Sequence, residues 1–135
     1  MFNNLFRPIN VLHKGLSASW TRNAVIRHNI ANIETPGFKA SGLAFESELR
    51  RALDKKAFRA TTTHPKHIPF GAINIEDVRP YVYRRNELSM RADGNNVDIE
   101  AENVRLAQNS IFYNTITEKL NGEIRRLKMA ISEGR

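Results

Sequence analysis

Ile9, Leu12, Leu16, Ser19, Asn23, Ile26, Ile30 and Ile33 follow one another at alternating steps of three and four. That rhythm is the a/d seam of a helix packed lengthwise on another helix, with polar Ser19 and Asn23 interrupting it midway. Pro8 suits a first helical turn, where its missing N–H costs nothing, and Pro36 biases Thr35 away from helical angles. The spacing therefore predicts a helix over about residues 8–33.

The rhythm returns at the other end with Ile99, Asn103, Leu106, Ser110, Tyr113, Thr117, Leu120, Ile124, Leu127 and Ile131. Asp93-Gly94-Asn95-Asn96 is turn chemistry and supplies an asparagine cap just ahead of it. A helix over about residues 97–132 would be roughly 50 Å long at ~1.5 Å per residue. Between the two helices the pattern weakens. Residues 43–57 read as a short amphipathic helix with Leu49 and Leu53 on one face. Residues 60–73 contain THPKHIPFG, a loop composition, and Tyr81-Val82-Tyr83 is strand-like.

The expected fold is mainly α: two long terminal helices packed as a coiled-coil hairpin, with an irregular, extended or short β-containing middle. The expected organisation is a single structural domain, with residues 1–36 and 97–135 forming the core and 37–96 the connector. The seam between the helices is assigned to Leu12, Leu16, Ile26, Ile30, Leu106, Leu120, Ile124 and Leu127. A second apolar strip beside the C-terminal seam, carried by Val104, Ile111 and Ile116, has no partner within one helix pair and is assigned to contact between subunits.

At 135 residues the chain is the size of one ordinary domain. Apolar runs are only a few residues long, far short of the ~20 needed to span a bilayer. The opening MFNNLFRPIN lacks a basic region followed by an apolar stretch and a cleavage site, so no Sec signal is expected. The absence of cysteine excludes disulfides, thiolate ligands and a Cys nucleophile. His64 and His67 stand near one another, but Lys66 lies between them and no third ligand can be named. The glycines show no phosphate-cradling spacing, and no Ser/His/Asp set stands out. No catalysis, metal or cofactor is expected.

A net charge of +7 and a pI near 10.1 raise nucleic-acid binding as the rival class. The basic residues are spread through the chain, and the aromatics do not interleave with them as a stacking platform would. A solvated basic surface is the preferred reading, and a basic helical nucleic-acid-binding protein is the alternative.

Asn29-Ile30-Ala31-Asn32-Ile33-Glu34-Thr35-Pro36-Gly37-Phe38-Lys39 fills every fixed position of the pattern N-x-A-N-x-x-T-P-G-[FY]-K. By this stretch the chain resembles the bacterial flagellar rod and hook axial proteins. The matching residues are Asn29, Ala31, Asn32, Thr35, Pro36, Gly37, Phe38 and Lys39. Small Ala31 and short polar Asn29 and Asn32 suit close helix approach and hydrogen bonds to nearby backbone, while Thr-Pro-Gly forces a turn. Phe45 to Leu49, His64 to Pro69, Asp93 to Glu100 and the stretch from Ala107 to Asn121 are similar to the short proximal-rod type.

The resemblance implies a structural subunit exported by the flagellar type III apparatus and assembled helically in the periplasm as the rod of the basal body. Terminal helices would pack around the central export channel. The implied partners are further copies of the chain, the rod subunits FlgC, FlgF and FlgG, the adaptor FliE and the MS ring protein FliF.

Overall fold

The computed structural model describes residues 3–53, 75–89 and 91–133. Helix α1 spans Asn3–Ala31 and helix α3 Ile99–Glu133. Between them lie strand β1 (Ser41–Ala44), helix α2 (Glu46–Leu53), a 3-10 turn (Ile75–Asp77) and strand β2 (Tyr81–Arg84). Asn29 meets Glu102, Ser19 meets Asn109 and Gly15 approaches Ile116, so α1 and α3 run antiparallel along each other as a hairpin. The expected mainly helical fold, with two long terminal helices and a short β element between them, is the one observed.

Three local expectations are corrected. Helix α1 begins ahead of Pro8, which lies inside the helix rather than in its first turn. Pro8 therefore withholds an N–H that would otherwise pair within the helix. The cap of α3 is Asp98, whose Oδ1 accepts from the N–H groups of Glu100 at 2.9 Å and Ala101 at 3.2 Å; Asn96 is used elsewhere. The middle helix starts only at Glu46, because residues 41–44 pair with β2 in an antiparallel register of Ser41 with Arg84 and Ala44 with Tyr81. The strand-like run at 81–83 thus has a partner that its own sequence did not reveal. The loop with His64 and His67 lies outside the described residues.

The connector is seated on α1. Ala18, Phe45, Ala52 and Val78 form a buried cluster, with Leu43, Leu49 and Ile75 packed against it. Burying Phe45 contributes about 1.5–3 kcal/mol relative to leaving it in water. Lys14 adds a polar tie by donating from Nζ to the carbonyls of Glu76 at 2.8 Å and Val78 at 3.1 Å.

Both seams of the hairpin differ from the expected ones in the same way. On α3 the buried positions are Glu102, Asn109 and Ile116, seven residues apart, with Leu106 and Tyr113 half-buried between them and Leu120 and Leu127 half-buried beyond. On α1 the buried positions include Gly15, Ser19, Ile26 and Asn29. Against the expected spacing, the buried positions Glu102, Asn109 and Ile116 on α3 and Gly15 and Asn29 on α1 each lie one residue before an expected one. Ile124, expected inside, is 50% exposed, and Ile116, expected at a subunit contact, is buried at 7% exposure. The Ile116 Cδ1 would lie 3.1 Å from a Cβ placed on Gly15, so it fills the space that the missing side chain leaves.

Candidate functional site

The stretch after α1 is held by the turn before α3. The helix tightens at its end, with Asn32 N–H donating to the Asn29 carbonyl at 3.1 Å and Ile33 N–H to that of Ile30 at 3.3 Å. Gly37 then takes φ +70°, a left-handed conformation that glycine adopts without the Cβ penalty. Asn95 is 1% exposed and donates from Nδ2 to the carbonyls of Asn32, Ile33 and Thr35, each at 2.9 Å. One side chain thereby gathers three carbonyls at and beyond the helix end, two of which, Asn32 and Thr35, also accept from the N–H groups of Thr35 and Phe38 in the following turns. Its Oδ1 accepts from Val97 N–H at 2.8 Å.

The neighbouring residues extend this clamp. Gly37 N–H donates to the Asp93 carbonyl at 2.8 Å, Lys39 Nζ to that of Gly94 at 2.8 Å, and Asn96 Oδ1 accepts from Ala40 N–H at 2.7 Å. Asp93 itself accepts from Asn95 N–H and pairs with Arg91. Those two contacts hold its carboxyl below the ordinary aspartate range. The Thr-Pro-Gly-Phe-Lys stretch and the Asp-Gly-Asn-Asn turn, about sixty residues apart, are therefore two halves of one joint between the helices.

Beside the joint lies a buried charge. Glu102 is fully buried. Its Oε1 accepts from Arg85 Nη1 at 2.9 Å and from Arg105, and its Oε2 accepts from Asn29 Nδ2 at 3.0 Å. Burial pushes this carboxyl up, but the hydrogen bonds from Asn29, Arg85 and Arg105 outweigh it and hold the group below the ordinary glutamate value. Asn29 also mimics a strand partner for Ser41, accepting its N–H at Oδ1 and donating to its carbonyl, both at 2.9 Å. Arg85 Nη2 reaches the same carbonyl at 2.9 Å. Two helices and both strands thus meet at one ion pair. Further along the hairpin, Ser19 Oγ donates to Asn109 Oδ1 at 2.9 Å and Asn109 Nδ2 to the Ser19 carbonyl at 3.0 Å. Among the described residues no buried side-chain nitrogen or oxygen lacks a partner.

The structure assigns different jobs to the motif residues. Asn29 is buried in the ion-pair node, and Asn32 turns back to the His28 carbonyl at 2.8 Å. Thr35 donates to Asn32 Oδ1 at 3.3 Å, and Phe38 packs on His28 with ring centroids 5.5 Å apart. Pro36 is exposed beside Gly37, and Lys39 belongs to the clamp. Ala31 does not sit in the close helix approach expected of it, because it faces outward from the hairpin. Of the seam residues, Ile26 is buried and Leu12, Leu16, Ile30, Leu106, Leu120 and Leu127 are half-buried. Val104 and Ile111 are exposed, at 56% and 68%. The sequence does not assign the contacts of Arg85, Glu102, Asn95 and Asn109, although it places Asn95 in a turn. For Glu102 and Asn109 the available signal was their seven-residue spacing with Ile116.

Among the described residues no group of three or more His, Asp or Glu side chains is placed to hold a metal ion, and no helix is long and apolar enough to cross a membrane. What the hairpin offers is surface: large apolar side chains left in water on both helices.

No family model matches the chain. Over 119 residues it is 37% identical to the flagellar basal body rod protein FlgB of Borreliella burgdorferi, covering 85% of this chain and 88% of the relative. The FlgB of Bacillus subtilis is 32% identical over 127 residues, covering 94% and 95%. That of Escherichia coli is 27% identical over 139 residues, covering 99% of each. With the helical hairpin, these end-to-end similarities define the class: a structural component of the flagellar basal body rod. Within that class the chain belongs to the FlgB family.

Proposed function

We propose that the chain forms the proximal segment of the rod by helical self-assembly around the export channel, and that this segment transmits torque and is needed for motility. The observation that carries the reading is the surface of the hairpin. Val104, Ile111 and Ile131 remain largely in water on α3 although the core is already satisfied. A monomer gains nothing from such exposure, whereas a subunit flanked by others buries it. Because the exposed residues do not face a twofold-related copy of themselves in a rod, the contact is heterologous and propagates a helix instead of closing a ring of two.

The same reading places the rod in the periplasm, reached through the flagellar type III export apparatus. The neighbours are FlgC, FlgF and FlgG above, with the adaptor FliE and the MS ring protein FliF below. Val104 and Ile111 serve contact between subunits, and the helix pair of α1 and α3 lines the channel side. The test is a tagged copy expressed in place of the natural gene, followed by purification of basal bodies and quantification of the chain. Co-purification with FliF and FliE in fixed stoichiometry, together with swimming, supports the assignment. Swimming cells whose basal bodies lack the tag contradict it.

A further inference from the structure

Trp20, the only tryptophan of the chain, is 71% exposed on α1 in spite of its size. Along that face Ser17, Ala24 and Ala31 are exposed and small, and the exposed His13 and Arg27 lie seven residues to either side, so the indole projects between one basic side chain and a run of small ones. Across the hairpin an open cleft of about 540 Å³ is walled by Val25, Leu43, Tyr83 and Phe112, with Arg22 and Arg105 at its margins. Successive helix residues turn by about 100°, so Trp20 and Arg22 diverge by about 200° around α1, and Gln108 and Asn114 by about 240° around α3. Indole and cleft therefore lie on opposite flanks of the hairpin. They also lie at one level, because Asn109 borders both the cleft and the surface beneath Trp20.

We infer that Trp20 of one copy of this chain seats in the Arg22–Phe112 cleft of the next copy, giving a side-by-side contact that repeats along the assembly; this rests on the rod-subunit reading and deepens it. A sideways displacement of one hairpin brings the two features together without a twofold axis, which is the geometry of a heterologous contact. The chemistry is complementary. Arg105 leaves 41% of its side chain exposed and offers a guanidinium to the indole face. Glu46 and Glu87 at the same cleft offer acceptors for the indole N–H. Phe112 and Val25 cover the ring edge. Ala24 and Ala31 allow the neighbouring copy to approach, which gives the outward-facing motif alanine a use that the monomer does not show.

The chain has no cysteine, so introduced thiols report without background. Two differently tagged copies, one carrying Ala24→Cys, one turn from an intact Trp20 on the same exposed face, and the other Gln108→Cys, are co-expressed with wild type in the flagellated host. Basal bodies are then isolated and mildly oxidised. The expected product is a covalent dimer bearing both tags that forms only when both variants are present. The two positions point to opposite flanks, so they cannot close within one copy. Both tags in the basal bodies with no such dimer, or a cross-link only to a different rod protein, overturns the inference while leaving the rod assignment standing. Absence of even the wild-type chain from basal bodies overturns both. As a second measurement, Trp20→Ala is expected to keep the helical circular dichroism of the purified chain but to weaken incorporation roughly 30-fold, the scale of an interface anchor, with Trp20→Phe restoring most of it. Wild-type incorporation of Trp20→Ala overturns the inference.

Discussion

Glu102→Ala isolates the buried ion pair. The substitution leaves Arg85, whose side chain is only 12% exposed, without its carboxylate and leaves one Asn29 donor bond unmade. Removing one member of a buried pair costs about 3–5 kcal/mol, because the remaining charge stays desolvated. Arg105 is discounted, since its exposed guanidinium recovers water. At about 2.1 cal/mol/K per residue, a chain of 135 residues has an unfolding entropy near 0.28 kcal/mol/K, so the loss lowers Tm by about 10–18 °C. The assay is urea and thermal unfolding of the purified chain followed by circular dichroism. Pairing Glu102→Leu with Arg85→Met removes both charges and should recover most of the loss.

The cost also has a pH signature. The folded state holds the Glu102 carboxyl below its unfolded value, so its stabilisation is fully present above about pH 4.3 and fades as pH falls through the lowered folded value. The gap between wild type and Glu102→Ala should therefore narrow only below about pH 4. A Glu102→Ala protein within about 0.5 kcal/mol of wild type at pH 7, the scale of an inconsequential surface change, would show that the buried pair does not hold the hairpin.

Asn95→Ala strips the Asn32, Ile33 and Thr35 carbonyls of their shared donor; a loss of about 1–3 kcal/mol is expected, with faster amide exchange at residues 32–38 and little change in mid-α3. Gly37→Ala meets no atom within 4 Å, so its cost is conformational alone, about 1–2 kcal/mol in the urea midpoint. Leu120→Asp places an unpaired charge in the half-buried seam and should prevent incorporation into rods, scored by basal-body purification; normal rods would show that Leu120 does not carry packing.

The two long helices were legible in the sequence because their apolar period runs for many turns, and no tertiary knowledge is needed to recognise it. The seam itself was legible by halves. Leu12, Ile26, Leu106 and Leu120 are apolar at inward or flanking positions, whereas Glu102, Asn109 and Asn29 are polar at buried ones. A search for apolar residues steps to their neighbours, which is why Ile124 was placed inside. Ile116 stood in the overlooked register because Asn109 and Glu102, seven and fourteen residues before it, disguise its row. The motif was legible as a signature but not as a mechanism. Asn95 and Asn96 grip it from about sixty residues away, and such long-range partners leave no local pattern. The same holds for β1, whose Ser-Gly-Leu-Ala becomes a strand only because Tyr81–Arg84 lies beside it.

On the proposed function, this chain builds the proximal rod. Its most direct test is deletion of the gene in the native host, with electron microscopy of isolated basal bodies before and after the gene is returned. MS rings without rods are expected in the deletion strain, with rods restored by complementation. Complete rods and filaments in the deletion strain would contradict that function.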